Sequence, residues 1–553
     1  MYPAEPGAGD GFVLDRRLFV RVYGPAPPVA RMTLPRIITE SLGGGALARR
    51  LIAGEGLTPW YVPRPDSPDA WRARADEVRT TATPGWLDAL SLAFGASGAA
   101  RERLQRVASS QGVVVTTGQQ PGLFGGPIYT WSKAIAALEL ANAIERDTGI
   151  PTAPVFWAAT DDADFIEAAE TWVAEQGGAV RLAMPGPAID GIPMQEHPLG
   201  DVSEALGCLV TAAGSAVDPG VLDAVRLSYH PTATVGGAYL TLLRILLQPL
   251  GIAVLDASHP ALLQAERPWL VRALERSDEI EAALRARSAE LRSAGHEPQV
   301  ADVEGLSLVF GRENGKKVRI PVREGSDVSL DEATRLSPNV LLRPVVERAV
   351  LPTVAYVAGP GEIAYFAQVS AVAQALGAAA PLVVPRWSCT IVEPHVTELL
   401  DARDIDRREL SNLDALAGKL ARRAAPESAV TALLGMRDRI DHEVASLSRE
   451  LASEGGLLPV EVMDGVRRQM TWRIERLERR LVAALKRRDD AMRRDLATLQ
   501  GALYPGGMRQ ERGLNLLPIL ARHGWGVVDA MRMAARRHAE ALVHGRPLPV
   551  DAE

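Results

Sequence analysis

Asp161, Asp162, Asp164 and Glu167 place four acids within seven residues, directly after the apolar run Pro154-Val-Phe-Trp157. Like charges so close repel one another unless they meet a cation or an amine, or sit in water. Asp161 or Asp162 could equally cap the next helix. A second group is Thr117, Gly118, Gln119 and Gln120, which follows the β-branched run Val113–Val115. Adjacent glutamines offer amide donors and acceptors to a polar substrate, or cap the helix that follows. A third is Gly359-Pro-Gly361-Glu362, a turn whose glutamate opens a helix through Tyr365. A carboxylate there is favoured by the helix dipole with or without a function. Lys133, Arg343 and Arg386 are the available cations, although Lys133 lies seven residues beyond Gly126, about two helical turns on, which leaves its reach open. Together these groups supply donors for carboxylate or phosphate oxygens and acceptors for an ammonium or sugar hydroxyls. They also supply cations to oppose developing negative charge. One of Asp161, Asp162, Asp164 or Glu362 would deprotonate an attacking amine.

The elements that must position these residues read as strands of an α/β protein. Val113–Val115 runs into a glycine-rich turn and then a periodic apolar helix (Ile135, Leu138, Leu140, Ile144). Strand, glycine loop and helix in that order place backbone N–H groups against an anionic ligand in many α/β folds. No lysine directly follows the glycines, so the stretch is not a P-loop, and it does not spell the dinucleotide fingerprint. Further strands are expected at 154–161, 251–257, 352–359 and 381–386. Near-continuous apolar runs separated by helix-length segments predict a doubly wound parallel sheet covered on both faces. The chemistry then gathers at the strands' C-terminal ends.

The core is expected over 1–393, with inserted subdomains at about 171–235 and 273–338 where the gaps exceed one crossover helix. The second insertion carries a hairpin signal, Asn314-Gly315 between Leu306–Arg312 and Lys317–Pro321. From 394 to 503 the spacing turns heptad-like: Ile440, Val444, Leu447 and Leu451, then Val466 through Leu499, with a break at Gly455–Pro459. This predicts a coiled-coil arm of two long helices. Two apolar seams cannot both be buried within one hairpin, so a symmetric homodimer is expected. The arm's many arginines are interleaved with acids, the pattern of a solvated face rather than a nucleic-acid or membrane surface. A tail, 504–553, has two apolar helical patterns that should dock on the core.

Composition excludes several classes. The chain has 553 residues, 47% hydrophobic and 23% charged, with a net charge of −7 that gives no general pull toward nucleic acid or anionic membrane. The N-terminus (Met1–Asp10) is acidic and rich in Pro and Gly, without the basic start and apolar core of a signal peptide. The apolar stretch Thr241–Leu255 carries Arg244, Gln248 and Pro249, so no membrane span is expected. Two distant cysteines, Cys208 and Cys389, suit a reduced cytoplasm. Cys389 reads as a small buried hydrophobe. Nine scattered histidines predict no dedicated metal site, and no Gly-x-Ser-x-Gly elbow is present.

Several long strings carry a resemblance. They are Thr117-Gly-Gln-Gln-Pro-Gly-Leu-Phe-Gly-Gly-Pro-Ile-Tyr129-Thr130 with Lys133, and Pro154-Val-Phe-Trp157 leading into Asp161-Asp162-x-Asp164. Ser337–Glu347, Leu351–Tyr365 (with Gly359-Pro-Gly361-Glu362) and Val384-Pro-Arg386 follow in order. The chain resembles the cysteine-adding enzyme (cysteine ligase) family of bacillithiol biosynthesis over nearly its whole length. The resemblance implies a Rossmann-like core related to class I aminoacyl-tRNA synthetases and nucleotidylyltransferases, with connecting-peptide insertions and an arm used for homodimerisation. It implies amide formation between the carboxyl of L-cysteine and the amino group of glucosaminyl-malate. ATP is the natural activating co-substrate, because a carboxylate and an amine do not condense readily in water, and Mg2+ could accompany it. Tyr129, Gly359, Gly361 and Tyr365 join the substrate-binding candidates on this basis. Two departures stand out: Ala163 occupies a position where the family commonly has histidine, and no Lys-Met-Ser-Lys-Ser motif is present. A non-catalytic dimeric nucleotide- or sugar-binding protein of the same fold, or a nucleotidyltransferase-like ligase for another small acid, remain the alternatives.

Overall fold

The computed structural model describes residues 34–185, 189–301, 303–322, 335–455 and 457–551. The Pro- and Gly-rich segment Met1–Asp10 lies outside the described residues. In chain order the strands begin with β1 (Arg36–Thr39), β2 (Val113–Gln119), β3 (Thr152–Ala158), β4 (Glu170–Glu175), β5 (Gly178–Ala183) and β6 (Ala253–Asp256). They continue with β7 (Leu306–Glu313), β8 (Lys316–Pro321), β9 (Ser337–Pro338), β10 (Thr353–Ala358), β11 (Val383–Pro385) and β12 (Cys389–Val392).

The five strands expected from the apolar runs form one parallel sheet in the order β11-β10-β2-β3-β6. Every residue of β3 and β10 is buried, as a sheet covered on both faces requires. The two-residue repeat of the strand feeds two cores in alternation. Phe156 and Ala158 enter one core, while Val155 and Trp157 enter the other. The helix Ile128–Thr148 crosses between β2 and β3 and is apolar on nearly all sides. It can be so because the sheet covers one face and the tail helix Gly526–Val543 the other.

The glycine turn after β2 does not become an anion cradle. Gly122 through Gly126 are buried, and Phe124, Gly125 and Gly126 all have positive φ. Asn515 Nδ2 donates to the carbonyls of Phe124 (3.0 Å) and Gly126 (3.1 Å). Tyr229 OH accepts from Gly125 N–H (3.2 Å) and donates to the Gly122 carbonyl (3.1 Å). The Ile128 N–H, at the start of the helix, is spent on the Leu514 carbonyl at 2.8 Å. The loop's polar groups are therefore committed to protein partners, and its bend serves to turn the chain.

Both long gaps hold antiparallel hairpins. The first is β4–β5, which packs on the helix Asp490–Leu503. A Cβ on Gly501 would sit 2.3 Å from the Gly178 carbonyl carbon, so only glycine permits this approach. The second is β7–β8, with Asn314 and Gly315 at positive φ in the turn, as a two-residue hairpin turn demands.

The arm consists of the helices Glu427–Ser453 and Val460–Arg488. The seam read as one helix to Leu499 is two, because Asp489 leaves helical geometry and accepts the Met492 N–H at 2.8 Å, capping Asp490–Leu503. No residue of Glu427–Ser453 is buried. Met470 and Leu477, one heptad apart, are 43% and 48% exposed. Among the described residues no helix is long and apolar enough to cross a membrane.

Candidate functional site

A cleft of about 1010 Å³ opens at the C-terminal ends of the parallel strands. Gly118, Gln119 and Gln120 reach it from β2, and Asp161, Asp162 and Asp164 from the segment after β3. Gly359, Gly361, Glu362 and Tyr365 arrive after β10 and Arg386 after β11, while Tyr129, Lys133 and Arg343 come from crossover helices. Thr117 is the exception. Its side chain is buried and donates to the Val357 carbonyl at 2.8 Å, stitching β2 to β10 rather than facing the cleft. Gly118 must be glycine, because a Cβ there would lie 2.9 Å from the Trp157 carbonyl oxygen.

Lys133 does reach the site, two turns along its helix. Its Nζ donates to the Gly118 carbonyl (2.8 Å) and to Gln119 Oε1 (2.9 Å), and pairs with Glu362 Oε2 (2.5 Å). An ammonium has three N–H donors, and all three are used. Burial pulls the Lys133 ammonium below its ordinary value, against the opposing charge of Glu362. For Glu362, burial would raise the carboxyl, but Lys133 and the Gly359 N–H (2.7 Å) outweigh it and hold the group below the usual range. Tyr356 OH also donates to Glu362 Oε1 at 2.7 Å. Arg343 extends the chain, donating to Tyr356 OH (3.1 Å) and to Glu347 Oε2 (3.0 Å). This buried network fixes the Gln119 amide, whose Nε2 donates to Tyr129 OH at 3.1 Å.

The acids after β3 divide by environment. Asp161 pairs with Lys317 Nζ at 3.3 Å. Asp162 accepts from Gln120 Nε2 (2.8 Å) and from the Asp164 N–H (3.1 Å). Asp164, rather than Asp161 or Asp162, caps the short helix Phe165–Ala168 by accepting the Glu167 N–H at 3.2 Å. Burial, and then the charges of Asp164 and Asp162, push the Glu167 carboxyl up. Arg386 is committed as well, forming a bidentate pair with Glu511 (2.7 and 2.8 Å) and donating to the Trp387 carbonyl (2.9 Å). Cys389 is buried, and burial raises its thiol far above the ordinary value. Among the described residues, no group of three or more His, Cys, Asp or Glu could hold a metal ion.

Residues 53–387 match the sequence model of the bacillithiol biosynthesis BshC N-terminal Rossmann-like domain. Residues 389–540 match the BshC C-terminal coiled-coil domain. The chain belongs to the BshC family. Among its relatives, a protein of Solibacter usitatus is 33% identical over 461 residues, covering 80% of this chain and 86% of that one. One of Koribacter versatilis is 32% identical over 474 residues, covering 81% and 86%. Both carry the name "Putative cysteine ligase BshC". The two BshC domains meet at the cleft, since Arg386 of the first and Arg512 of the second both line it, and Arg386 pairs with Glu511 of the second.

Sequence reasoning missed part of the lining. Glu167 stood in the acidic run without being singled out as a site residue. Lys317 and Arg319, on β8, and Arg512, beside Glu511, also line the cleft. Lys316-Lys317 directly after the Asn-Gly turn was the only local signal, and it does not say where the hairpin lands. Lys317 N–H donates to the Gly191 carbonyl at 2.8 Å, beyond β5, and its Nζ donates to the Asp161 carbonyl at 2.9 Å, which docks the hairpin over the segment after β3.

Proposed function

We propose that this BshC-family chain is a cysteine ligase that forms an amide between the carboxyl of L-cysteine and the amino group of glucosaminyl-malate, with ATP as activating co-substrate. The observation that carries the reading is the Gln120–Asp162 pair at the cleft, flanked by Glu167 and backed by the buried Lys133–Glu362 network. In the first step a cysteine carboxylate oxygen attacks the α-phosphorus of ATP, and pyrophosphate leaves. In the second the substrate amine attacks the acyl carbon, its proton passes to a carboxylate, and AMP leaves. Asp162 suits proton acceptance because its two oxygens are oriented by one amide and one N–H rather than neutralised by a cation. Gln119 suits substrate positioning, and Lys133 and Glu362 hold that amide in place. A Mg2+ ion would arrive with the nucleotide phosphates, since the aspartates are already engaged with Lys317, Gln120 and backbone N–H groups. A cleft of about 1010 Å³ is at the upper end of small-molecule sites, in keeping with three substrates.

The test is ligation by purified protein supplied with cysteine, glucosaminyl-malate and ATP, read as amide product and AMP. Asp162→Asn and Gln120→Ala are expected to lower turnover at least about a hundredfold while the melting temperature moves by only a few degrees. Folded variants with wild-type turnover would move the chemistry elsewhere. One observation favours a second reading. Ala163 lines the cleft where the family commonly has histidine, so a dimeric nucleotide- or sugar-binding protein would bind these compounds and yield no amide.

A further inference from the structure

Of the cations in the cleft, Lys133, Arg343, Arg386 and Lys317 are each paired with a protein carboxylate. Arg319 is not. It is half-buried, its Nε donates to the Ser307 carbonyl at 3.0 Å, and its guanidinium carbon lies 5.9 Å from the Phe310 ring centroid. Among the described residues it has no carboxylate partner. Burial pulls its guanidinium below the ordinary arginine value. A partly buried charge without a counter-ion is costly, and here the cost falls on a residue whose two terminal nitrogens have no hydrogen-bond partner among the described residues. Arg512 also lacks an acidic partner among the described residues, but it is exposed, and water compensates it.

Arg319 also stands at a junction. It lines both the main cleft and an adjoining cavity of about 210 Å³, together with Asn339, Val300 and Ala301. That volume has room for a small acid group. The adjoining cavity's own acids are not aimed at Arg319. Glu281 accepts the Gly305 N–H at 2.9 Å and pairs with Arg285 at 3.5 Å, and Glu304 is 91% exposed beside the same arginine.

We infer that Arg319 is the recognition residue for a carboxylate group on the amine substrate, whose acidic arm enters the side cavity while its amine faces Asp162. This assignment rests on the ligase reading above and names the part of the substrate that the hairpin selects. The guanidinium's terminal N–H groups offer the bidentate geometry that a carboxylate matches. A phosphate oxygen of ATP has the same charge and could use the same donors, so the two sources are separated by experiment.

With Arg319→Gln, the KM for glucosaminyl-malate is expected to rise at least about tenfold, the loss of one charge-assisted contact. Turnover at saturation and the KM values for cysteine and ATP should stay near wild type, and Arg319→Lys should recover part of the loss. An unchanged KM for glucosaminyl-malate, or a rise confined to ATP, would overturn the assignment, the second result transferring Arg319 to nucleotide phosphate. If Arg319→Gln does not fold, Arg319→Lys carries the same comparison. Calorimetric titration with L-malate and with ATP keeps the two readings apart. Malate binding that weakens in the variant, in a protein without ligation, would sink the ligase reading and retain the carboxylate site. Malate binding equal in both proteins, or absent from the wild type, would remove the site whatever the activity.

Discussion

Lys133 shows how a residue can line a site and still be unavailable to a ligand. Its three N–H donors are all spent on protein acceptors, so its work is to hold Gln119 and Glu362. Removing one partner of a buried ion pair leaves the other charge uncompensated, at a cost of about 3–5 kcal/mol. Lys133→Met is therefore expected to lower thermal stability markedly along with activity, whereas Asp162→Asn should touch activity alone. Unfolding curves of the two variants, side by side, check the distinction. At this scale the sequence was readable wherever a residue sits at a strand's C-terminal end, because the parallel sheet sends those ends to one edge. Thr117 failed that rule through the two-residue alternation of β2, which turns its hydroxyl toward β10. Glu511 and Arg512 were not readable at all, since they reach the cleft from more than a hundred residues beyond the last strand of the sheet.

Elements were more legible than their junctions. The five parallel strands and the Asn-Gly hairpin followed from local apolar pattern and turn chemistry. The glycine loop was open to two readings, a ligand cradle or a tight turn, because its composition is the same whether its N–H groups face a phosphate or a protein side chain. Its partners, Asn515 and Tyr229, are remote in sequence. Asn515 also accepts the Leu517 N–H at 2.9 Å, so one buried amide joins the loop to the start of a second tail helix, Leu517–His523. Asn515→Ala would leave several buried groups unpaired, each costing about 1–3 kcal/mol. The expected result is a lower melting temperature, with faster amide hydrogen exchange in 121–127 than in β3. Unchanged exchange in the loop would show that Asn515 does not clamp it. The break at Asp489 was hidden by heptad spacing that runs across it, although an aspartate pair is itself a cap signal.

At the scale of the molecule, two predictions concern how parts are joined. Glu393, at the end of β12, pairs with Arg522 (2.7 Å) and His523 (2.8 Å) of the tail. Burial would raise its carboxyl, but hydrogen bonds from His523 and Arg522 outweigh burial and hold it at about 2. The unfolded value is about 4.3, so the folded state binds this proton less readily. Its stabilisation is complete above the unfolded value and is lost as pH falls toward the folded one. Denaturant unfolding should therefore show a gap between wild type and Glu393→Gln at pH 7 that narrows by pH 3. A constant gap would exclude the linkage. The arm makes the second prediction. Its exposed seam is expected to be covered by a second copy, so Met470→Asp with Leu477→Asp should give a folded monomer by light scattering. A wild-type protein that is already monomeric at micromolar concentration would refute this.

The Arg386–Glu511 pair has a consequence for inheritance. The two halves of the chain look like separable modules, one ending at 387 and the other starting at 389. Yet the first half produced alone would carry Arg386 without the carboxylate that forms its bidentate pair. A hybrid gene that spliced this front half to an unrelated helical partner would inherit the same defect. Recombination between relatives can succeed at that seam only when the incoming half brings a carboxylate to the same spot.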